Sequence, residues 1–186
     1  MNQEEILNVL TSNQGKYREY RRTLEPYFRE IRMADIGYPE IQANTLEEVV
    51  RYILDELSSF APLIIDDSGL FIEALEGFPG VYSSYVMDTL GCEGILKLMD
   101  GIENRKARFE CVIGYLDGEE KLFKGIAKGI IIDEMRGSGG FGYDPIFRPV
   151  NEDNTYAEMV TEEKNSISHR GKAMERFLNY IKKKRL

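Results

Sequence analysis

The segment from Thr45 to Leu57 constrains the fold more than any other part of the chain. Its apolar residues recur at helical spacing and form one stripe: Leu46, Val49, Val50, Ile53, Leu54 and Leu57. Thr45 and Glu48 match the capping box that commonly starts a helix, so we predict an amphipathic helix with one buried face. The short apolar run Leu63-Ile64-Ile65 follows, and it is typical of a buried strand.

Strands and helices alternate along the first half of the chain. Further strands are predicted at Ile6 to Thr11, Ile31–Met33, Ala107–Leu116 and Lys121–Ile132. Further helices are predicted at Gln14 to about Pro26, at Gly91 to Met99 and from Ser168 onward. Because the last two strands flank a turn at Asp117-Gly118, we expect an α/β fold with a mixed sheet. No repeat or linker divides the sequence, so residues 1–186 are predicted to form a single domain.

Charge and apolar content exclude several classes of protein. The formal net charge is -8, which argues against a partner that is a nucleic acid polymer, because phosphate contacts need a basic face. No apolar stretch approaches the ~18 residues of a membrane span, and the acidic first residues do not resemble a signal peptide. Cys92 and Cys111 lie far apart and are interpreted as free thiols. We therefore expect a cytoplasmic protein.

A short polar loop, Thr11-Ser12-Asn13-Gln14-Gly15-Lys16, separates the first predicted strand from the first predicted helix. Helix N-termini present free N–H groups and a positive dipole end, which suit a phosphate. An ordinary Ser or Asn helix cap accounts for the loop as well. Lys16 and Arg18 favour the phosphate interpretation, because a cation in the first turn opposes the dipole unless an anion lies between them.

Two acidic residues follow the apolar strand, in the segment Asp66-Asp67-Ser68-Gly69. Open α/β sheets bind ligands beyond the carboxyl ends of their strands, and a carboxylate there could hold Mg²⁺ and orient a water molecule. Because successive strand residues face opposite ways, only one of the two carboxylates points into a given cleft. The alternative is a plain Asp-Ser-Gly turn. Glu40 and Glu48 are candidate acidic partners, unless they are a solvated loop residue and a capping-box residue.

The segment from Phe141 to Phe147 sets aromatic residues among glycines. It offers a flat stacking surface with close access to the backbone, or else a surface turn anchored by Phe147. The preceding glycines also fit the letters G-x-G-x-x-G from Gly137 to Gly142. Because Tyr143-Asp144-Pro145 follows, no helix is predicted to open there, and a dinucleotide site is rejected.

A basic segment, Lys164-Asn165-Ser166-Ile167-Ser168-His169-Arg170-Gly171-Lys172, lies at the start of the last predicted helix. Cations at a helix start oppose the dipole, and the rest of the chain is acidic. An anion-binding site is therefore favoured over a solvated charged face.

These motifs occur in the order of a known family. They are Ser12-Asn13-x-Gly15-Lys16-x-x-Glu19, Tyr38-Pro39-Glu40-Ile41-Gln42, Asp67-Ser68-Gly69-Leu70, Phe78-Pro79-Gly80-Val81-Tyr82-Ser83-Ser84, Phe141-Gly142-Tyr143-Asp144-Pro145-Ile146-Phe147, Ala157-Glu158-Met159 and the basic segment. The set resembles the inosine triphosphatase-like pyrophosphatases, the house-cleaning XTP/dITP diphosphatases, in their archaeal form. The resemblance spans essentially the whole chain.

The resemblance implies an elongated mixed β-sheet with flanking helices, which form two lobes around a central cleft. It also implies a homodimer and Mg²⁺-dependent cleavage of a nucleoside triphosphate to the monophosphate and pyrophosphate. Residues implied to bind the triphosphate are Thr11, Ser12, Asn13, Gln14, Gly15 and Lys16. Glu40 and Asp67 would bind Mg²⁺, and Asp67 would also accept the proton. Residues implied to contact the nucleotide and its base are Ser68, Phe141, Gly142, Tyr143, Asp144, Lys164, His169 and Arg170.

The sequence departs from the family pattern at a few positions. Many bacterial members of the family have Thr-Gly-Asn in place of Thr11-Ser12-Asn13 and a lysine in place of Ile53, and relatives often have Glu in place of Asp66. Two alternatives stay open. A nucleotide-binding sensor without turnover would not need an acid at Asp67. A pyrophosphatase of the septum-associated Maf type would share the fold but lack the segment around His169.

Overall fold

The computed structural model describes residues 6–38 and 41–184. The described strands are β1 (Ile6–Leu10), β2 (Glu30–Ala34), β3 (Leu63–Ile72), β4 (Lys106–Asp117), β5 (Glu119–Ile131) and β6 (Phe147–Pro149). They form one sheet in the order β2-β1-β3-β4-β5-β6. β2 and β3 pair parallel with β1, whereas β6 pairs antiparallel with β5, so the predicted mixed sheet is confirmed.

The described helices are α1 (Gln14–Leu24), α2 (Leu46–Glu56), α3 (Ser83–Thr89), α4 (Gly91–Leu98), α5 (Thr161–Ile167) and α6 (His169–Lys184). Four of them, α1, α2, α4 and α6, correspond to the predicted helices. The sequence patterns did not predict α3, α5 or β6, which span 7, 7 and 3 residues. Elements of this length are too short for a helical or strand period to stand out.

Helix α2 begins as predicted. The Thr45 side chain accepts a hydrogen bond from the Glu48 N–H, and the Glu48 carboxylate accepts one from the Thr45 N–H, which completes the capping box. The apolar face packs on β4 at Gly114, where a Cβ atom would lie 2.4 Å from Val50. Ile53 is fully buried on this helix, so the position that carries a lysine in relatives belongs here to the core.

The chain divides into two compact units. The first comprises Met1–Asp67, Val112–Phe123 and Met174–Leu186, and the second comprises Ser68–Cys111 and Lys124–Ala173. Tyr115 packs on Phe177 in the core of the first unit, with ring centroids 5.2 Å apart. Phe109 and Phe147 make an edge-to-face contact at 4.7 Å in the core of the second. The single domain and the central cleft stay predictions.

Strand β3 is longer than predicted. The sequence pattern interrupts the strand at Asp66-Asp67-Ser68-Gly69, whereas the structure shows one continuous strand from Leu63 to Ile72, so the alternative of a plain turn at this segment is wrong. β1 pairs with β3 only as far as Ile65. Farther along, the Ile72 N–H donates to the Phe78 carbonyl at 3.3 Å, so the segment after β3 provides a new partner. A local sequence pattern cannot show that a later segment of the chain folds back and hydrogen-bonds to the strand.

Candidate functional site

The first unit carries the polar loop Thr11–Lys16 between β1 and α1. Asn13 caps α1, because its side-chain oxygen accepts hydrogen bonds from the N–H groups of Gly15 and Lys16 at 2.8 and 3.0 Å. Thr11 Oγ1 in turn accepts from the Asn13 N–H at 3.0 Å. The loop therefore has the geometry of an asparagine helix cap, and two N–H groups of the helix start are used within the protein.

Lys16 forms an ion pair with Asp66, with 3.1 Å between Nζ and Oδ2. The Asp66 side chain is 2% exposed and that of Lys16 is 21% exposed. The sequence argument required an anion beside Lys16 to offset the helix dipole, and Asp66 provides it within the protein. The position of Lys16 therefore does not by itself require an external anion, and phosphate binding by residues 11–16 stays a prediction.

Asp67 follows Asp66 on β3 and is half-buried. Because strand side chains alternate, Asp67 projects from the face opposite to Asp66. Both carboxylates come just after Ile65, which pairs with Leu10, the last residue of β1. They therefore lie beyond the carboxyl end of a parallel neighbour, where open sheets bind ligands.

The oxygen donors of this region suit a magnesium ion. Mg²⁺ is usually bound through one or two carboxylates together with substrate phosphates and waters, and Asp67 offers such a carboxylate. Among residues 6–38 and 41–184, no group of three His, Cys, Asp or Glu side chains could hold a metal by itself. Glu40, the other predicted ligand, lies outside the described residues. The Glu48 carboxylate accepts hydrogen bonds from Asn44 and Thr45, which supports its capping role.

We expect Lys16 and Asp66 to be strongly coupled in stability. Lys16→Met leaves the Asp66 carboxylate without its ammonium partner, and the free energy of unfolding should fall by about 2–3 kcal/mol. In the double variant with Asp66→Asn, the total loss should be smaller than the sum of the single losses by about 1–3 kcal/mol. Urea unfolding measures both. The exposed pair Arg21 and Glu25 is a matched control, and additive losses at Lys16 and Asp66 would contradict the expectation.

In the second unit, Lys164 and Asp144 form a buried ion pair with 2.5 Å between Nζ and Oδ2. The same Asp144 oxygen accepts the Phe141 N–H at 2.7 Å. Gly140 is required here, because its φ is +70° and a Cβ atom would lie 2.0 Å from Asp144 Oδ2. Asp144 therefore fixes the backbone of the loop that carries Phe141.

Phe141 is 54% exposed and lies over two cations. Lys164 Nζ is 4.5 Å from the centre of the Phe141 ring, and the Arg170 guanidinium carbon is 5.3 Å from it. Both distances are within the range of cation–π attraction. An exposed aromatic ring held at a defined position is what the predicted stacking surface requires.

Tyr143 lies in the same loop but is buried. Its hydroxyl donates to the Ser83 carbonyl at 2.9 Å, and burial raises the pKa of the hydroxyl, which stays protonated. The Cys92 thiol donates to the Gly142 carbonyl at 3.4 Å. Burial, with a smaller contribution from the Asp144 carboxylate, raises the pKa of this thiol to about 11. Cys92 and Cys111 form no disulfide, as predicted, and both are buried.

The basic segment is not one helix start. Lys164 belongs to the last turn of α5, where a cation is favourable, and His169 begins α6. The dipole argument therefore fails for Lys164, while Arg170 and Lys172 do lie in the first turn of α6. The His169 ring stacks on Phe109 with 4.6 Å between centroids and an interplanar angle of 11°. His169 is buried, with 5% of its surface exposed.

Sequence reasoning assigned no role to Ser83, although it lies in one of the family motifs. Its hydroxyl accepts from the Leu70 N–H at 2.8 Å, and its carbonyl accepts from Tyr143. These partners are 13 and 60 residues away in sequence, so no local pattern signals the contacts.

Comparison with known proteins finds similarity over nearly the whole chain. The model of the Ham1 family matches residues 7–180. A dITP/XTP pyrophosphatase from Thermococcus kodakarensis is 55% identical over 178 residues, which cover 95% of this chain and 97% of the relative. One from Methanopyrus kandleri is 52% identical over 178 residues, or 92% and 94% of the two chains. The solved Staphylococcus aureus Ham1 protein superposes with a TM-score of 0.86 at 30% identity, covering 97% of this chain and 100% of that one.

Proposed function

The chain belongs to the Ham1 family, and from this membership we propose that it hydrolyses non-standard purine nucleoside triphosphates (ITP, dITP and XTP) to the monophosphate and pyrophosphate. The observation that carries the proposal is the high identity to dITP/XTP pyrophosphatases over almost their full length. The match to the Ham1 family also disfavours the Maf-type alternative. The chemistry of each unit supports a nucleotide substrate. The first unit carries carboxylates after a strand end, and the second carries an aromatic ring backed by cations.

The reaction defines what the side chains must do. Attack of water on the α-phosphorus displaces pyrophosphate, so the site must neutralise a polyphosphate and activate the water. We assign Asp67 as the base that accepts the proton of the water, because its carboxylate is half-buried beyond the end of β1. The loop Thr11–Lys16 binds the triphosphate, and Lys16 and Lys164 contribute positive charge.

Magnesium is the proposed cofactor, with Asp67 and Glu40 as its protein ligands. When bound, the ion would offset phosphate charge and polarise the reacting phosphoryl group. An acidic chain with a net charge of -8 needs such a cation to accept a polyanionic substrate. This chain contributes oxygen ligands and the base.

In this proposal, residues of the second unit recognise the nucleoside. Phe141 stacks on the base, and the hydrogen-bond donors of His169 and Arg170 meet the carbonyl oxygen of a 6-oxo purine. Ser68 and Gly142 contact the nucleotide. Tyr143 and Asp144, which the sequence predicts as nucleotide contacts, have a different role in this proposal. The buried Tyr143 hydroxyl donates to the Ser83 carbonyl, and the buried Asp144 carboxylate accepts from the Phe141 N–H and from Lys164. Both side chains stabilise the loop that carries Phe141.

A homodimer in the cytoplasm completes the proposal. The family resemblance implies the dimer, and the two buried free thiols agree with a reducing compartment. None of the described helices is long and apolar enough to cross a membrane. Light scattering on the purified protein gives the mass that tests the dimer.

One assay tests the activity. Purified protein is incubated with Mg²⁺ and a panel of ITP, dITP, XTP, GTP and ATP, and the monophosphate and pyrophosphate are measured separately. We expect ITP, dITP and XTP to release the monophosphate and pyrophosphate in equal amounts. Neither product should appear after Mg²⁺ is removed with EDTA. Release of inorganic phosphate and a diphosphate would contradict the assigned bond. Tight ITP binding without products would favour the sensor.

A further inference from the structure

Ser83 lies at the first position of α3 and is almost fully buried. It takes part in hydrogen bonds with groups from separate parts of the second unit. Its hydroxyl accepts from the Leu70 N–H at 2.8 Å and donates to the Gly80 carbonyl at 2.6 Å. Its carbonyl accepts from the Tyr143 hydroxyl at 2.9 Å. A single residue thus joins a strand, a turn and a loop.

The first connection reaches the strand that carries the proposed base. Leu70 follows Asp67 by three positions on β3 and is fully buried, so its N–H has no access to water and needs a protein acceptor. Gly69 allows the Ser83 turn to approach, since a Cβ atom at Gly69 would lie 2.4 Å from the Gly80 carbonyl oxygen. The position of β3 just after Asp67 therefore depends on the Ser83 hydroxyl.

The second connection reaches the loop that carries the stacking ring. Tyr143 follows Phe141 by two positions and precedes Asp144, which binds the Phe141 N–H. Its buried hydroxyl has the Ser83 carbonyl as acceptor, and moving α3 would move this acceptor. Both connections are buried, where hydrogen bonds are directional and costly to lose.

We propose that Ser83 is a positioning residue for the reaction assigned above, holding the β3 segment after Asp67 and the Phe141 loop at one fixed point. The inference rests on the proposed function. Ser83 acts through Leu70 and Tyr143, and it touches neither the phosphates nor the base. Precise placement of this kind governs rate, because a displacement of about 1 Å in an active site can lower turnover about 10²-fold.

The test separates the two connections by variant. Ser83→Ala removes the hydroxyl, so kcat for ITP should fall by about 10–100-fold. Ser83→Thr retains the hydroxyl and should restore most of this kcat. Tyr143→Phe removes only the bond to the loop, so it should raise KM for ITP and lower the ITP:ATP ratio of kcat/KM, with kcat little changed. Tyr17→Phe is the matched control, because the Tyr17 hydroxyl also donates to a backbone carbonyl, that of Ile31, at 2.8 Å.

Amide hydrogen exchange provides a readout that does not depend on turnover. The Leu70 amide should exchange slowly in the wild-type protein, faster in Ser83→Ala and slowly again in Ser83→Thr. If Ser83→Ala does not fold, Ser83→Cys replaces it, since a thiol is close in size and a weak hydrogen-bonding group.

The outcomes distinguish this inference from the proposed function. Wild-type protein that releases no pyrophosphate from ITP contradicts the function itself. If wild-type protein is active, then a folded Ser83→Ala protein with normal kcat overturns the inference, and so does a Ser83→Cys protein whose Leu70 amide exchanges fast while kcat stays normal. A loss of melting temperature alone, with kcat and the ITP:ATP ratio unchanged, also overturns it.

Discussion

Replacing Asp67 by Asn should lower kcat for ITP by about 10³-fold or more, because the change removes the proposed base and a charge proposed to bind the metal. Asparagine keeps the shape of the side chain, and Asp67 is half-buried on β3 and not packed in the core. We therefore expect little change in melting temperature. ITP binding should persist, because the loop Thr11–Lys16 and the contacts of Lys164 and Arg170 are unaltered.

A single preparation of the variant suffices for the measurement of melting temperature, ITP affinity and kcat. Asp133→Asn is a matched control, since Asp133 is an exposed carboxylate outside the site. If Asp67 were only structural, the variant would lose melting temperature and keep near-normal kcat. That result would exclude Asp67 from the mechanism. It would favour the alternative function, a nucleotide-binding sensor without turnover.

The second large effect concerns the choice of base. We expect strong preference for ITP over ATP, because the base carbonyl oxygen of ITP accepts hydrogen bonds from His169 and Arg170, whereas the adenine amino group is itself a donor. Sites built to hydrogen-bond one substrate group discriminate by up to ~10⁴–10⁵ in kcat/KM. Arg170→Ala should compress the ITP:ATP ratio and not lower both rates equally.

Steady-state kinetics with ITP and ATP on the same enzyme preparation measure this ratio. Lys172→Ala is the control, because Lys172 also lies in the first turn of α6 but donates to the Ile126 carbonyl. Equal kcat/KM values for ATP and ITP in the wild-type protein would refute the assigned base recognition. An equal fall in both rates for Arg170→Ala would assign Arg170 to the phosphates.

Long periodic elements were predictable from the sequence. The apolar stripe of α2 and its capping box depend on neighbours three and four positions apart, so local spacing determines them. The same holds for α6 and for the long strands β4 and β5. The extension of β3 past Asp66 was not predictable, because β1 pairs with it only as far as Ile65. The rest of the strand lies beside β4, which is distant in sequence, and Ile72 donates a hydrogen bond to the returning segment at Phe78.

The ion pairs show a second limit. Lys16 and Lys164 were singled out from the sequence as cations that oppose a helix dipole, but each has a carboxylate partner within the protein. Their carboxylate partners are Asp66 and Asp144, 50 and 20 residues away in sequence. The sequence alone does not show which carboxylate pairs with a given lysine. The dipole argument therefore invoked an external anion, whereas Asp66 and Asp144 provide the negative charge within the protein.

The sequence by itself determined the mixed α/β class, the main helices and strands, the family and the residue types of the site, because these follow from local periodicity and ordered motifs. Only the tertiary structure decided which polar groups are already engaged. Tyr143 and Asp144 look like substrate contacts in the motif, yet both are buried in hydrogen bonds that hold the Phe141 loop. Ser83 became a candidate only through Leu70 and Tyr143. The physical reason is that burial and long-range hydrogen bonds exist only once distant segments have packed.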